Sequence, residues 1–245
     1  MNIGIYCTVS TKEFPLAMAT LHFAETSDYV SNIVVLITDG AQSDIKKITE
    51  KITVYTENFG AGYSISIENG GYNQISARNF LIEKLENTES EWLMMHDADD
   101  LYDLDFYRFI SEECMNFDAV TCSCFSLRWA YGGEIELSVP ILKSIHLMNG
   151  HKFHDPHTRV WKKALNLRYE KSSGIENHFS NHSRHCGVIF PFDFKVACTD
   201  SAYHFHLHAL LNKRHSGKIN DFTRIDYILS VQIRYFIEIN NEFFA

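Results

Sequence analysis

The sequence predicts an α/β fold: a mostly parallel sheet flanked by helices, in a single domain spanning residues 1–245. Three observations predict it. The first half alternates short apolar, β-branched runs with stretches of helical spacing, the order that builds parallel strands joined by covering helices. One of those runs, Trp92-Leu93-Met94-Met95, ends in His96-Asp97-Ala98-Asp99-Asp100, so a buried strand delivers a burst of carboxylates at its tip. The 245 residues, 45% hydrophobic and 22% charged, are enough to bury a large core.

The elements follow in order. Ile3 to Val9 reads as a first strand. Ser10 and Glu13 have capping-box spacing, which starts a helix there and carries it toward Thr26. Ile33 to Thr38 is a second strand with Asp39-Gly40 at its tip. Ile45, Ile48 and Ile52 recur at helical spacing. Val54-Tyr55-Thr56 and Ile65-Ser66-Ile67 are short strands around a Gly60/Gly62 loop, and Gly70-Gly71 breaks the chain before a helix carrying Arg78. Asn87 to Ser90 leads into the strand 92–95. Leu101 to Met115 reads as a helix capped by Asp103 or Asp105. Ala119 to Leu127 and Ile135 to Val139 form strands joined by a turn at Tyr131-Gly132-Gly133-Glu134. His146 to His208 is rich in histidine and aromatic residues, as a site lining would be, and Ile225 to Ile239 is a closing helix with a wide apolar face that offers a surface for homo-oligomers.

Charge and cysteine usage narrow the classes. A formal net charge of −9 argues against a broad nucleic-acid surface, which needs dense Lys and Arg. Lys213-Arg214-His215 and Lys218 offer at most a local basic patch. The six cysteines are scattered, and Cys122-Ser123-Cys124 lacks the paired Cys-x-x-Cys spacing of a zinc site. Reduced thiols, no apolar run of about 18–20 residues and no basic segment before the first strand make a cytoplasmic location the expectation.

The acidic tip carries the chemistry. Asp97, Asp99 and Asp100 repel one another and resist losing water, and a bound divalent cation resolves that conflict. Asp-x-Asp supplies hard oxygen ligands from one short turn, which suits Mg²⁺ or Mn²⁺ carrying a diphosphate. The plainer reading is an acidic loop that caps the next helix.

Ser76-Ala77-Arg78-Asn79-Phe80-Leu81 stands before the strand and its Asp97-Ala98-Asp99-Asp100 tip, and Ile33 to Gly40 forms an apolar strand with an acidic corner. Together these resemble the A-R-N, strand, D-x-D-D signature and the V-D-D-G-S corner of family 2 glycosyltransferases of the GT-A (Rossmann-like) fold. The resemblance covers residues 1–110, the nucleotide-sugar half, and weakens over 111–245, the acceptor half with the C-terminal helix. Thr38 stands where the family often has another acid, and Phe80 where many members have a small residue. The resemblance implies a transfer, inverting at the sugar carbon, from a nucleotide-diphosphate sugar, UDP-sugar first, to a glycan, lipid-linked, small-molecule or modified-base acceptor. It implies Mn²⁺ or Mg²⁺ on Asp99, and Asp97 on the ribose or on the metal through water. Asp100 orients the ligands or faces the acceptor. Asp39 lies on the nucleoside with Thr8, Val9 and Ser10 as the other wall, and Arg78 pairs with phosphate or with the carboxylates. It also places an acidic base in the second half, for which Glu176 leads and Asp155 is the alternate. A late histidine completes the metal site in several GT-A enzymes. In Tyr203-His204-Phe205-His206-Leu207-His208, period two puts His204, His206 and His208 on one face of a strand and makes each a candidate. Two rivals stand beside this reading: a metal-dependent hydrolase built on His96, Asp97 and the late histidines, and a non-catalytic sugar-nucleotide or glycan-binding module.

Overall fold

The structure, a computed structural model, describes residues 1–38, 46–47, 50, 63–67, 74–129, 135–140, 145–148, 151–154, 158–171, 186–191, 193–208, 222–224 and 231–240. In chain order the elements are β1 (Ile3–Val9), α1 (Phe14–Glu25), β2 (Val30–Ile37), β3 (Tyr63–Ile67), α2 (Gln74–Glu86), β4 (Trp92–Met95), β5 (Asp100–Tyr102), α3 (Leu104–Glu113), β6 (Ala119–Trp129), β7 (Ile135–Pro140), β8 (Ile145–Met148), β9 (His151–His154), β10 (Val160–Lys162), β11 (Tyr169–Lys171), β12 (Cys186–Val188), β13 (Val196–His206), β14 (Phe222–Arg224) and α4 (Val231–Ile239). One sheet runs in the order β14-β7-β6-β10-β4-β1-β2-β3, with β13 on β6 and β5 on β13. The pairs of β1 with β2 and β4, of β2 with β3, and of β6 with β13 are parallel. β10 runs antiparallel between β4 and β6 and so joins the parallel half to the second half.

The apolar runs are central strands buried on both faces. Along β1, Ile3, Ile5, Cys7 and Val9 face one core with α1 residues Phe14, Ala17, Met18 and Leu21 and α3 residues Phe106 and Ile110. Tyr6 faces the other core, where Leu81, Ile82 and Leu85 of α2 meet Leu93, Met95, Trp161 and Tyr169. Each fully buried aliphatic side chain stabilises by roughly 1.5–3 kcal/mol, far more than the few tenths by which helix propensity separates Asn79 or Ser76 from better helix formers. α4 covers a third cluster, laying Ile233, Phe236 and Ile237 on Leu101, Phe125, Phe205 and Leu207. Its Tyr235 and Ile239 remain exposed. No helix among the described residues is long and apolar enough to cross a membrane.

Several boundaries differ from the sequence reading for local reasons. Ser10 and Glu13 do bond reciprocally, Ser10 Oγ donating to Glu13 Oε2 at 2.8 Å and accepting from Glu13 N at 3.3 Å, yet they close a turn ahead of the helix, which starts at Phe14 with Pro15 in its first turn. The segment expected to be helical from Leu101 starts as β5, because Leu101 and Tyr102 pair with β13, and Asp103 caps the helix by accepting from Asp105 N. The helix expected around Ile45, Ile48 and Ile52, the strand at 54–56 and the turn at 131–134 lie outside the described residues, although β6 and β7 pair antiparallel on either side of that turn.

Gly4 of β1 packs directly against Ser90. A Cβ there would sit 2.6 Å from Ser90 Oγ and 2.9 Å from Ser90 Cβ, and Ser90 is itself fixed by donating to Asn32 Oδ1 at 2.9 Å. Gly4→Ala is expected to lower stability by about 1–3 kcal/mol, the usual cost of overpacking. Urea unfolding monitored by tryptophan fluorescence checks this, and an unchanged midpoint contradicts it.

Candidate active site

The acidic turn lies at the carboxyl ends of the parallel strands β1 and β4, where open α/β sheets bind ligands. His96 N donates to Tyr6 O at 3.0 Å and extends the β1–β4 ladder by one step. The turn then closes on itself: Asp100 N donates to Asp97 O at 3.1 Å, and Asp97 N to Asp100 Oδ2 at 3.0 Å. Thr20 of α1 donates to Ala98 O at 3.1 Å, and Leu207 N to Asp99 O at 2.8 Å. Four elements deliver side chains to it: α2 brings Arg78, the residue ahead of β10 brings Arg159, and β5 pairs with β13 so that His204 lies opposite Tyr102 and His206 opposite Asp100.

The three carboxylates have different surroundings. Asp100, fully buried, accepts from Arg159 Nη1 at 2.8 Å and meets His204 Nε2 at 2.7 Å and His206 Nδ1 at 3.4 Å. His204 is stacked on Tyr102, with ring centroids 4.4 Å apart. Asp97 accepts from the same Arg159 Nη1 at 2.8 Å and from Arg78 Nη2 at 3.3 Å. Asp99 meets imidazoles instead: His206 Nδ1 at 3.7 Å and His208 Nδ1 at 3.4 Å. The two rings lie nearly parallel, 5.7 Å apart, and one ligand atom from each of Asp99, His206 and His208 falls within 4.8 Å of the others. This is a possible metal-binding group. His204 stands outside it, held on Asp100, and so does Asp97, whose oxygens go to the two arginines.

Electrostatics follow these partners. Burial, the largest influence, pushes Asp97 and Asp100 up, but Arg159 together with Arg78 at Asp97, and Arg159 together with His204 and His206 at Asp100, outweigh it. Asp97 ends below the ordinary carboxylate range and Asp100 well below it. Burial raises Asp99 as well, and there His206 only partly offsets it while Asp100 and Asp97 add to it, so Asp99 stays raised. Burial lowers His204 to about 4 against the pull of Asp100, whereas His206 ends raised because Asp100 and Asp99 outweigh its burial.

The remaining sequence candidates divide in two. Thr8, Val9 and Ser10 sit at the β1 tip, where Thr38 N donates to Val9 O at 3.0 Å and ties β2 to β1. His96 is buried with Nδ1 2.9 Å from Asp97 O, and takes no part in the Asp99 group. Asp39, Asp155 and Glu176 lie outside the described residues. Arg159 is the residue that sequence reasoning missed as a site member. Its only signal was a cation directly before the apolar Val160-Trp161, and nothing in that pattern says that β10 will lie against β4 and aim it at the turn.

The metal-free protein should lose stability in acid. The unfolded chain takes a proton on a histidine near 6.5, whereas folded His204 resists it down to about 4. Between those values the unfolded state binds more protons, so stability falls as pH drops and then levels off. Burial lowers His96 in the same direction. Raised His206 and raised Asp99 oppose this, each contributing stability that is present at low pH and lost as pH rises through its folded value. Asp97 and Asp100 contribute stability that is present above the unfolded carboxylate value and lost as pH falls below it. Melting temperatures in EDTA are therefore expected to fall from pH 7 to pH 4, and His204→Gln should flatten the decline above pH 4. A decline of equal size in both proteins contradicts the assignment to His204.

No protein-family model matches this sequence, and neither does any curated protein. Solved structures do. S. aureus TarS 1–349 in complex with UDP-GlcNAc superposes on 99% of this chain and 65% of that one, with a TM-score of 0.51 and 12% identity. Another structure of TarS 1–349 matches over 86% of this chain and 61% of that one, with a TM-score of 0.50 and 12% identity. The chain thus spans less than two thirds of the TarS fragment it matches. At this identity the likeness concerns architecture: the chain has a GT-A-like α/β fold.

Proposed function

We propose that this chain is a divalent-metal-dependent glycosyltransferase that takes its sugar from a nucleotide diphosphate, UDP-sugar first, and inverts the transferred carbon. The observation that carries the reading is the convergence of Asp99, His206 and His208 at the carboxyl end of β4, on a turn whose other two carboxylates are already matched by arginines. TarS 1–349, whose fold this chain shares, binds UDP-GlcNAc. A donor set of one carboxylate and two imidazoles fits Mn²⁺ better than Mg²⁺, which prefers oxygen ligands. When bound there, the cation would offset the negative charge that grows on the diphosphate as the sugar bond breaks.

The chain's own residues have the following roles. Arg78 and Arg159 compensate Asp97 and Asp100, so the turn carries one uncompensated carboxylate, that of Asp99, toward the cation. Asp97, a third exposed despite its arginines, accepts from the ribose. Thr8, Val9 and Ser10 wall the nucleoside side, and Asp39, on the sequence resemblance alone, binds the nucleoside with them. Glu176, or Asp155 in its place, takes the proton of the acceptor hydroxyl. Hydrolysis by a His96–Asp97 centre has less support, since His96 is buried and its Nδ1 faces a backbone carbonyl. Residues 1–110 would hold the donor and 111–245 the acceptor within one domain.

UDP with Mn²⁺ is expected to stabilise the protein by about 2.7 kcal/mol at a hundredfold excess over Kd, seen as a rise in Tm that Asp99→Asn abolishes. Equal stabilisation by UDP in EDTA overturns the metal reading. Glu176→Gln should leave UDP-sugar affinity intact while turnover falls about 10²–10⁴-fold; near-normal turnover in that variant transfers the base role to Asp155.

A further inference from the structure

Arg159 is held with little freedom. Its backbone carbonyl accepts from Met95 N at 2.9 Å, which fixes it beside the last residue of β4. Its guanidinium is largely buried, and one nitrogen, Nη1, lies 2.8 Å from both Asp97 Oδ2 and Asp100 Oδ2. Among the described residues those two carboxylates are its ionic partners, and they bracket Asp99 in the sequence. The clamp therefore pins both ends of the turn. Between the ends, Leu207 N fixes the Asp99 carbonyl, and the Asp99 side chain points to His206 and His208.

We propose that Arg159 is a positioning residue for the metal site: by bridging Asp97 and Asp100 it keeps both from acting as ligands and holds Asp99 in register with His206 and His208. The inference rests on the metal reading above. It makes a claim whose sign separates it from simple electrostatics. Deleting a cation near a cation site should tighten metal binding if charge alone mattered. Deleting a clamp should weaken it, because groups that orient metal ligands contribute about 10–100-fold to affinity.

The test is Mn²⁺ alone, titrated into the full chain without nucleotide and followed by the EPR signal of free Mn²⁺, with folding checked by circular dichroism. Arg159→Met should bind Mn²⁺ at least about tenfold more weakly than the wild type. Arg159→Lys, which keeps the charge on a shorter stem, should fall between the two. Where Arg159→Met does not fold, Arg159→Met combined with Asp100→Asn removes the buried cation together with one partner and leaves the net charge of the turn unchanged. That double variant should bind more weakly than Asp100→Asn alone. Wild-type or tighter Mn²⁺ binding by folded Arg159→Met, or equal binding by the double variant and Asp100→Asn, overturns the inference and leaves the metal reading standing. Absence of Mn²⁺ binding by the wild type overturns both.

Discussion

One guanidinium nitrogen stands 2.8 Å from a carboxylate oxygen of Asp97, which is partly open to water, and 2.8 Å from one of Asp100, which is closed to it. Burying an ionised carboxylate unpaired costs several kcal/mol, and breaking such a pair typically costs about 3–5 kcal/mol. Without Arg159, Asp100 would have His204 and His206 but no permanent cation. The tip of β4, the path of β5 and the approach of β13 all depend on that carboxylate staying where it is. Asp100 opens β5, lies opposite His206 in the β5–β13 pairing, and closes the turn through Asp97 N.

The same arrangement gives adjacent carboxylates different characters. Asp97, Asp99 and Asp100 carry the same chemistry within four residues, yet Asp100 is held far below the usual carboxylate range, Asp97 less so, and Asp99 above it. Burial acts on all of them in one direction. What differs is the partner: a shared guanidinium for Asp97 and Asp100, and imidazoles for Asp99. A side chain that no guanidinium compensates, placed between two that are compensated, sets the turn's one arginine-free carboxylate beside two imidazoles.

Much of this was legible in the sequence where the signal was local. β1, β4 and the helix carrying Arg78 follow from apolar runs and helical spacing, and period two in 203–208 divides the segment as the structure does, with Phe205 and Leu207 under α4 and the histidines toward the turn. The role of His204 was not legible, because which imidazole is buried on Asp100 depends on the β5–β13 register. β5 was read as helix because Leu101 and Tyr102 suit either state, and only pairing with β13 decides between them. Arg159 left no usable trace: a buried arginine and a surface arginine look alike until the strand beside it is placed. Asp39, Asp155 and Glu176 lie outside the described residues and keep their standing as readings of the sequence.

The spacing of the partners along the chain has a consequence for how the site comes into being. Arg159 follows Asp97 by 62 residues, and His204 follows Asp100 by 104. β13, which brings the histidines, pairs in parallel with β6, and contacts so distant in sequence form slowly because loop-closure entropy must be met before they stabilise anything. On the ribosome the acidic turn emerges long before any of these partners, so its carboxylates must wait in water while the β1–β2–β4 half can already pack. The β1–β2–β4 half is thus available to pack first, and its acidic corner is complete only when nearly the last strand arrives.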